Sequence, residues 1–329
     1  MTEDSSGKAR PGEFELIRRY FAPLARGFPG SFGLTDDAAV FAPAPGHEVV
    51  ITADAIVAGV HVLPDDPPAA IARKLLRVNL SDLAAMGATA TGYLVTATWP
   101  RDTEEAFIAA FCEGLAADQA EFAVTLMGGD TTATDGPLTL SLTALGQVPA
   151  GQALRRNGAR AGDAVFVSGT IGDASAGLAV LQGRGGADLT EAERAVLVDR
   201  YRLPRPRMTL GPALRGLASA CIDVSDGLIA DLGHIAEESG VAAEVELAAV
   251  PLSPERRRFG DIPAALGGGD DYELLFTAAP ERAAAVAEAA RQAGVPVTRI
   301  GRIEAGQGVV LRGPDGKPVT TAKAGWQHF

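Results

Sequence analysis

The stretch Lys74–Ala88, KLLRVNLSDLAAMGA, decides how the rest of the chain is read. Ile71, Leu75, Val78, Leu83 and Met86 recur at helical spacing. Asp66 followed by two prolines marks a helix start, and Gly87 marks its stop. Asp82 lies on this otherwise apolar helix, where an aspartate is costly to bury without a partner. The segment is therefore a packed helix that carries a carboxylate for a reason.

Working outward, that helix sits among strands. Upstream, helical spacing of Phe14, Ile17, Phe21 and Leu24 follows a polar tail, and strands are expected at 38–41 and 48–53. Downstream come a strand at 93–99, a helix at 103–120, a strand at 123–127 running into GGDTT (128–132), and a strand at 138–147. Pro149, Gly151, Gly158 and Gly162 then punctuate a loop that reads as a domain boundary. The second half has strands at 164–168, 220–224, 243–247 and 273–277, helices between them, and two short terminal strands. Strict βαβ alternation is missing, so the expectation is an α/β chain with α+β mixed sheets. Its parts are a tail 1–11, a domain 12–149 and a domain 150–329.

Charge narrows the class. The chain has 329 residues, with 29 basic and 41 acidic, a formal charge of −12. Such a balance argues against nucleic acid as a partner, because a phosphate backbone repels it. Phosphate ligands stay open where cations mediate the contact. Cys112 and Cys221 lie in apolar stretches without CxxC spacing, so buried free thiols and a reducing compartment are expected. No run of 18 apolar residues occurs and the N-terminus lacks an apolar signal core, so a cytoplasmic enzyme with no membrane partner is the expectation.

No G-x-x-x-x-G-K-[ST] and no G-x-S-x-G is present, and the four histidines are widely spaced. What recurs is aspartate at the ends of apolar strands: Asp36 and Asp37, Asp54, Asp130, Asp223 and Asp226, Asp270 and Asp271. Singly, each reads as an N-cap or Asx turn. Together they read as hard oxygen ligands, which suit Mg²⁺ shared with substrate phosphates. The glycines of GGDTT read either as close backbone approach to a ligand or as a tight turn. Arg155-Arg156 could clamp phosphate or be solvated. Trp326 could stack on a ligand or simply anchor the terminus.

These motifs carry a resemblance. GEFELIRRYF, DDAAVF, Asp54–His61, KLLRVNLSDLAAMGA, MGGDTT, RRNGARAGD, SGTIGDASAGL, IDVSDGLIADLGHIA, GGGDDYELLFT and GWQHF, in this order, resemble the thiamine-monophosphate kinases of the aminoimidazole ribonucleotide synthetase-like superfamily. The resemblance implies two α/β domains with mixed sheets and helices on one side, and N-terminal domains that pair into a β-barrel in a homodimer. It implies ATP-dependent phosphorylation of thiamine phosphate to thiamine diphosphate, with several Mg²⁺ ions. By position, Asp37, Thr52, Asp54, Asp82, Asp130, Asp223 and Asp226 match metal ligands. Gly129, Asp130, Arg156 and Ser225 match ATP contacts, and His61, Asp270 and Trp326 match contacts to thiamine phosphate. Lys74 matches a family lysine without an assigned role.

Three positions depart from the family pattern. Thr35 stands where Gly is usual, Ala53 where Thr or Ser is usual, and Asp270 where Glu is usual. A β-branched Thr35 disfavours a positive-φ turn, and Ala53 removes a hydroxyl ligand. These departures motivate the alternative of a noncatalytic metal- or nucleotide-binding protein. The intact aspartate set favours the enzyme. Its acceptor, a phosphate, is already ionised, so no single general base is expected, and Asp54 and Asp130 would be essential through metal.

Overall fold

Four-residue helix α1 (Glu13–Leu16) is the first element of the computed structural model, which describes residues 11–319 and Gly325. The chain forms two units. One is built from residues up to 43, 51–79 and 90–145, the other from 44–50, 80–89 and 146 onward. After α1 come β1 (His47–Val57), α2 (Pro68–Ala85), β2 (Thr89–Pro100), α3 (Glu105–Phe122), β3 (Thr125–Thr134) and β4 (Thr139–Pro149). The second half opens with β5 (Ala164–Ser168), α4 (Asp173–Leu181), α5 (Glu191–Arg202), α6 (Leu210–Ala213), β6 (Ala220–Asp223) and α7 (Leu228–Ser239). It continues with β7 (Ala242–Glu246), α8 (Pro254–Phe259), α9 (Ile262–Ala265), β8 (Leu274–Ala278) and α10 (Ala283–Ala293). Strands β9 (Val297–Glu304), β10 (Gly308–Arg312) and β11 (Pro318–Val319) follow.

The first sheet has the order β1-β4-β2-β3, with β2 and β3 parallel across the crossover helix α3. One face is apolar: Leu140, Leu142, Ala144 and Val148 of β4 are buried, while Ser141 and Thr143 between them are half-buried. Trp99 of β2 meets Phe111 of α3 edge-on, with centroids 5.3 Å apart, a favourable aromatic geometry. Arg73 and Arg77 of α2 both bind Asp118 of α3, Arg77 through two nitrogens at 2.7 and 2.9 Å. A paired, hydrogen-bonded charge is the form in which arginine tolerates burial.

The second sheet has seven strands, β11-β10-β7-β9-β5-β8-β6, mixed because β10 and β7 are parallel while their neighbours are antiparallel. Strands β5 and β8 are buried along their full lengths. Val165, Val167 and Leu275 join α7 in one core, and Phe166, Leu274 and Phe276 join α6 and α10 in another. The implied arrangement of helices on one side does not hold for this sheet. Unbroken apolar runs such as AVFV and LLF require cover on both faces.

Other expectations also shift. No strand forms at 38–41. That segment follows a turn with positive φ at Phe32, Gly33 and Leu34, and Val40 makes one bond, to Gly30 O at 2.8 Å. The N-terminal helix breaks into α, π and 3₁₀ turns before and around Pro23, leaving Phe14 79% exposed while Leu16 is buried. Among the described residues, no helix is long and apolar enough to cross a membrane.

Candidate active site

In the first unit, β1 sorts its residues by alternation. Thr52, Asp54 and Ile56 share the more buried face, and Ile51, Ala53 and Ala55 share the exposed one. Ala53 therefore points away from Asp54, and its missing hydroxyl removes nothing beside that carboxylate. Asn79 of α2 accepts the Asp54 N–H at 3.1 Å and donates to Leu75 O at 2.9 Å. Asn79 was not among the expected site residues, yet it gave the same signal as Asp82: a polar side chain inside a buried helical run.

The GGDTT stretch is not a turn. It lies within β3, where Gly129 pairs with Val95 and Asp130 with Thr96. A register shift at Tyr93/Leu94 leaves Met127 as the extra residue of a bulge, which re-aims the side chains after it. A Cβ at Gly129 would collide with the Val95 carbonyl oxygen, so the neighbouring strand alone requires glycine there. Asp130 is exposed and accepts its own neighbour's Thr131 N–H at 2.8 Å. The Thr131 hydroxyl takes the Trp99 indole N–H at 2.7 Å.

Asp37 is exposed in an irregular segment, and Thr35 before it has φ −108°. The β-branched residue is thus unstrained, since the positive φ values occur earlier. His61 is half-buried, and its Nδ1 accepts the Val57 N–H at 3.1 Å, leaving the ring proton on Nε2. Buried Lys74 donates to His61 O at 3.3 Å, which supplies the role the sequence left open: it holds the His61 backbone.

In the second unit, Ser81 donates to the buried Asp223 at 2.6 Å, a charge-assisted bond across 142 positions of sequence. Asp82, next to Ser81, is half-buried. Asp226 stands at the entry to α7, where the half-buried Ser225 precedes it and Asp231 accepts the N–H groups of Asp226 and Gly227, each at 3.1 Å. Among the described residues, Asp226, Asp231 and His234 bring ligand atoms within 4.8 Å of one another. Asp231 and His234 were not expected here. Asp231 is pushed up to about 7, by burial first and the Asp226 charge second. An aspartate in the first turn of a helix that follows Gly was the available signal.

Asp270 joins Ser225 through its N–H, which bonds Ser225 O at 2.9 Å. Its φ is +73°, a conformation that aspartate tolerates better than glutamate, which gives the departure from the family's Glu a physical basis. Arg156 is exposed in the loop after β4. Trp326 lies outside the described residues. Both cysteines are buried and free, and burial pushes Cys112 up to about 12, so neither thiol is poised as a nucleophile.

A mixed-sheet chain of this kind, with aspartates on β1, β3 and β6 and without a P-loop, belongs to the AIR synthase related class. Residues 35–148 match its N-terminal domain and residues 160–313 its C-terminal domain. Within that class the chain belongs to the thiamine-monophosphate kinase family. It is 45% identical to the thiamine-monophosphate kinase of Caulobacter vibrioides, over 97% of this chain and 92% of that one. It is 42% identical to that of Escherichia coli K12, over 97% and 98%. Among solved structures, thiamine-monophosphate kinase from Stenotrophomonas maltophilia matches with a TM-score of 0.79 and 44% identity, covering 87% of this chain and 91% of that one. AaThiL complexed with AMPPCP and TMP matches with a TM-score of 0.77 and 33% identity, covering 91% and 97%.

Proposed function

We propose that this chain transfers the γ-phosphoryl group of ATP directly, in line, to the phosphate of thiamine monophosphate, giving ADP and thiamine diphosphate, the last step of thiamine diphosphate synthesis. The observation that carries this reading is the full-length likeness to kinases of that name, including AaThiL complexed with AMPPCP and TMP. The acceptor oxygen is ionised near neutral pH, so the chain needs no base to deprotonate it. Its task is to bring two anions together and hold them in line.

The donor set suits Mg²⁺. Asp37, Thr52, Asp54, Asp82, Asp130, Asp223 and Asp226 all offer hard oxygens. Burial first and the Asp226 charge second raise the proton affinity of Asp231, and a cation there would offset both. Bound there, several Mg²⁺ ions would neutralise the phosphates and stabilise the transferring group. Gly129, Asp130, Arg156 and Ser225 would contact ATP. His61, with a donor on Nε2, would contact the phosphate of thiamine monophosphate, and Asp270 and Trp326 its rings.

The same reading takes 12–149 and 150–329 as domains and the chain as a homodimer. Ile51, 63% exposed, and Leu94 lie on the face of the first sheet turned from its core, which supports pairing of two such sheets into a barrel. With ATP as co-substrate, the cytoplasm is its compartment. The test is ADP release with Mg²⁺-ATP and thiamine phosphate, with thiamine and aminoimidazole precursors as controls. Release that does not depend on thiamine phosphate overturns the reading.

A further inference from the structure

We propose that Asp271 is a positioning residue: by holding the first amides of α4, it fixes Asp270 in the left-handed conformation from which Asp270 meets thiamine phosphate. The inference rests on the function proposed above and adds a residue to its acceptor site.

Asp271 is 1% exposed. Its Oδ2 accepts the Gly172 N–H at 2.7 Å and its Oδ1 the Ala174 N–H at 3.4 Å. Those are the amides that a helix leaves open at its N-terminus. Helix α4 has Gly172 as its N-cap and no side-chain cap of its own. Its cap comes instead from a residue 99 positions further along the chain. A helix that needed only capping could take Ser or Asp at its own N-cap. Here the cap ties the helix to the loop that carries Asp270.

That loop is strained on both sides of Asp271. Asp270 has φ +73° and Tyr272 φ +51°, and non-glycine residues hold such values only where their surroundings enforce them. The enforcement has two sides. On one, Asp270 N bonds Ser225 O at 2.9 Å and Tyr272 N bonds Val224 O at 2.8 Å. A Cβ at Gly269 would strike the Ser225 carbonyl oxygen, so the loop lies flush on that segment. On the other, Asp271 is held by α4. Glu273, also buried, accepts from Ser168 at 2.6 Å, Arg200 at 2.8 Å and Arg207 at 2.6 Å. Residues 271 and 273 face inward and are anchored, while residues 270 and 272 are half-buried. The conformation of Asp270 is thereby set by its neighbour's bonds.

The test is Asp271→Asn in the full-length protein. The amide keeps the size and one acceptor oxygen but turns an N–H donor toward the helix amides. The KM for thiamine phosphate should rise about tenfold while the KM for ATP stays within about twofold, the split expected when only acceptor binding is altered. A purely structural cap would lower Tm and shift both KM values together, or neither, and either result overturns the proposal. Should Asp271→Asn fail to fold, Ser168→Ala loosens the same seat from the Glu273 side, and the same split, smaller in size, is required of it. A wild type that does not phosphorylate thiamine phosphate overturns both readings. An active wild type with an unsplit variant overturns this one alone.

Discussion

The two sheets each carry an aspartate on an edge strand, β3 in the first and β6 in the second, and they hold it in opposite ways. In the first, Asp130 stands exposed on a strand that runs on past it, and its carboxylate bonds the next residue's N–H. In the second, Asp223 is buried at the last position of β6 and tied to Ser81. Asp231, Asp271 and Glu273 around it are buried as well. The first arrangement leaves the fold indifferent to the carboxylate. The second makes carboxylates part of the core, where an unpaired partner is expensive. The carboxylate of the first sheet is thus detachable from the fold, and those of the second are inseparable from folding.

The largest effect expected from this contrast is in the second sheet. Glu273→Gln removes the charge that compensates buried Arg200 and half-buried Arg207, and should destabilise the protein by about 3–5 kcal/mol. Urea unfolding measures it, and a wild-type midpoint would show that burial does not bind these charges to the fold. Next in size, Asp130→Asn and Asp54→Asn should lower turnover about 10²–10³-fold, some 2.7–4 kcal/mol of lost transition-state stabilisation. For Asp130→Asn the urea midpoint should not move. Wild-type-like turnover in either variant would defeat the metal assignment, and a large fall in the midpoint of Asp130→Asn would erase the contrast between the sheets. Ser81→Ala is intermediate, because it takes a donor from a buried carboxylate and should cost about 1.5–3 kcal/mol. Its Mg²⁺ half-saturation should rise too, since Asp223 loses the bond that orients it. Unchanged values of both would reduce Ser81 to a packing residue.

Much of this was legible beforehand, for identifiable reasons. Apolar spacing marked α7 and α10 because those helices bury one stripe each, and α2 because it is buried almost all round. The aspartates stood out because they interrupt apolar runs, and Asp223 does end β6, but Asp54 and Asp130, expected at strand ends, lie inside β1 and β3. What escaped was non-local. Nothing near Gly172 announces that its amide is capped by Asp271, and nothing near Ser81 points to Asp223. GGDTT left open a tight turn or a close backbone approach to a ligand, and the structure shows Gly129 serving the close approach of Val95 in a bulged strand. The 38–41 segment had the residues of a strand and no neighbour to pair with. Thr35 and Ala53 looked like losses until φ at one and the face of β1 at the other showed neither position demanding what was missing.

Per pH unit the smallest predicted effect concerns protons, and it tests whether the second sheet's burial is felt as energy. Burial, more than any neighbour, pushes Asp271 up from 3.8 to about 8, against the lowering by its amide donors and Arg200. A carboxyl whose folded value is raised holds a proton that the unfolded chain has released. Its contribution to stability is therefore complete below about pH 4 and is lost as pH rises through about 8. Asn at this position has no proton to lose. Between about pH 5 and 8, wild-type stability should fall relative to Asp271→Asn, by at most about 1.4 kcal/mol per pH unit. Melting curves of the two proteins across that window decide it. Parallel pH dependence would mean that Asp271 is ionised in the folded chain, and that the amides of α4 together with Arg200 outweigh its burial.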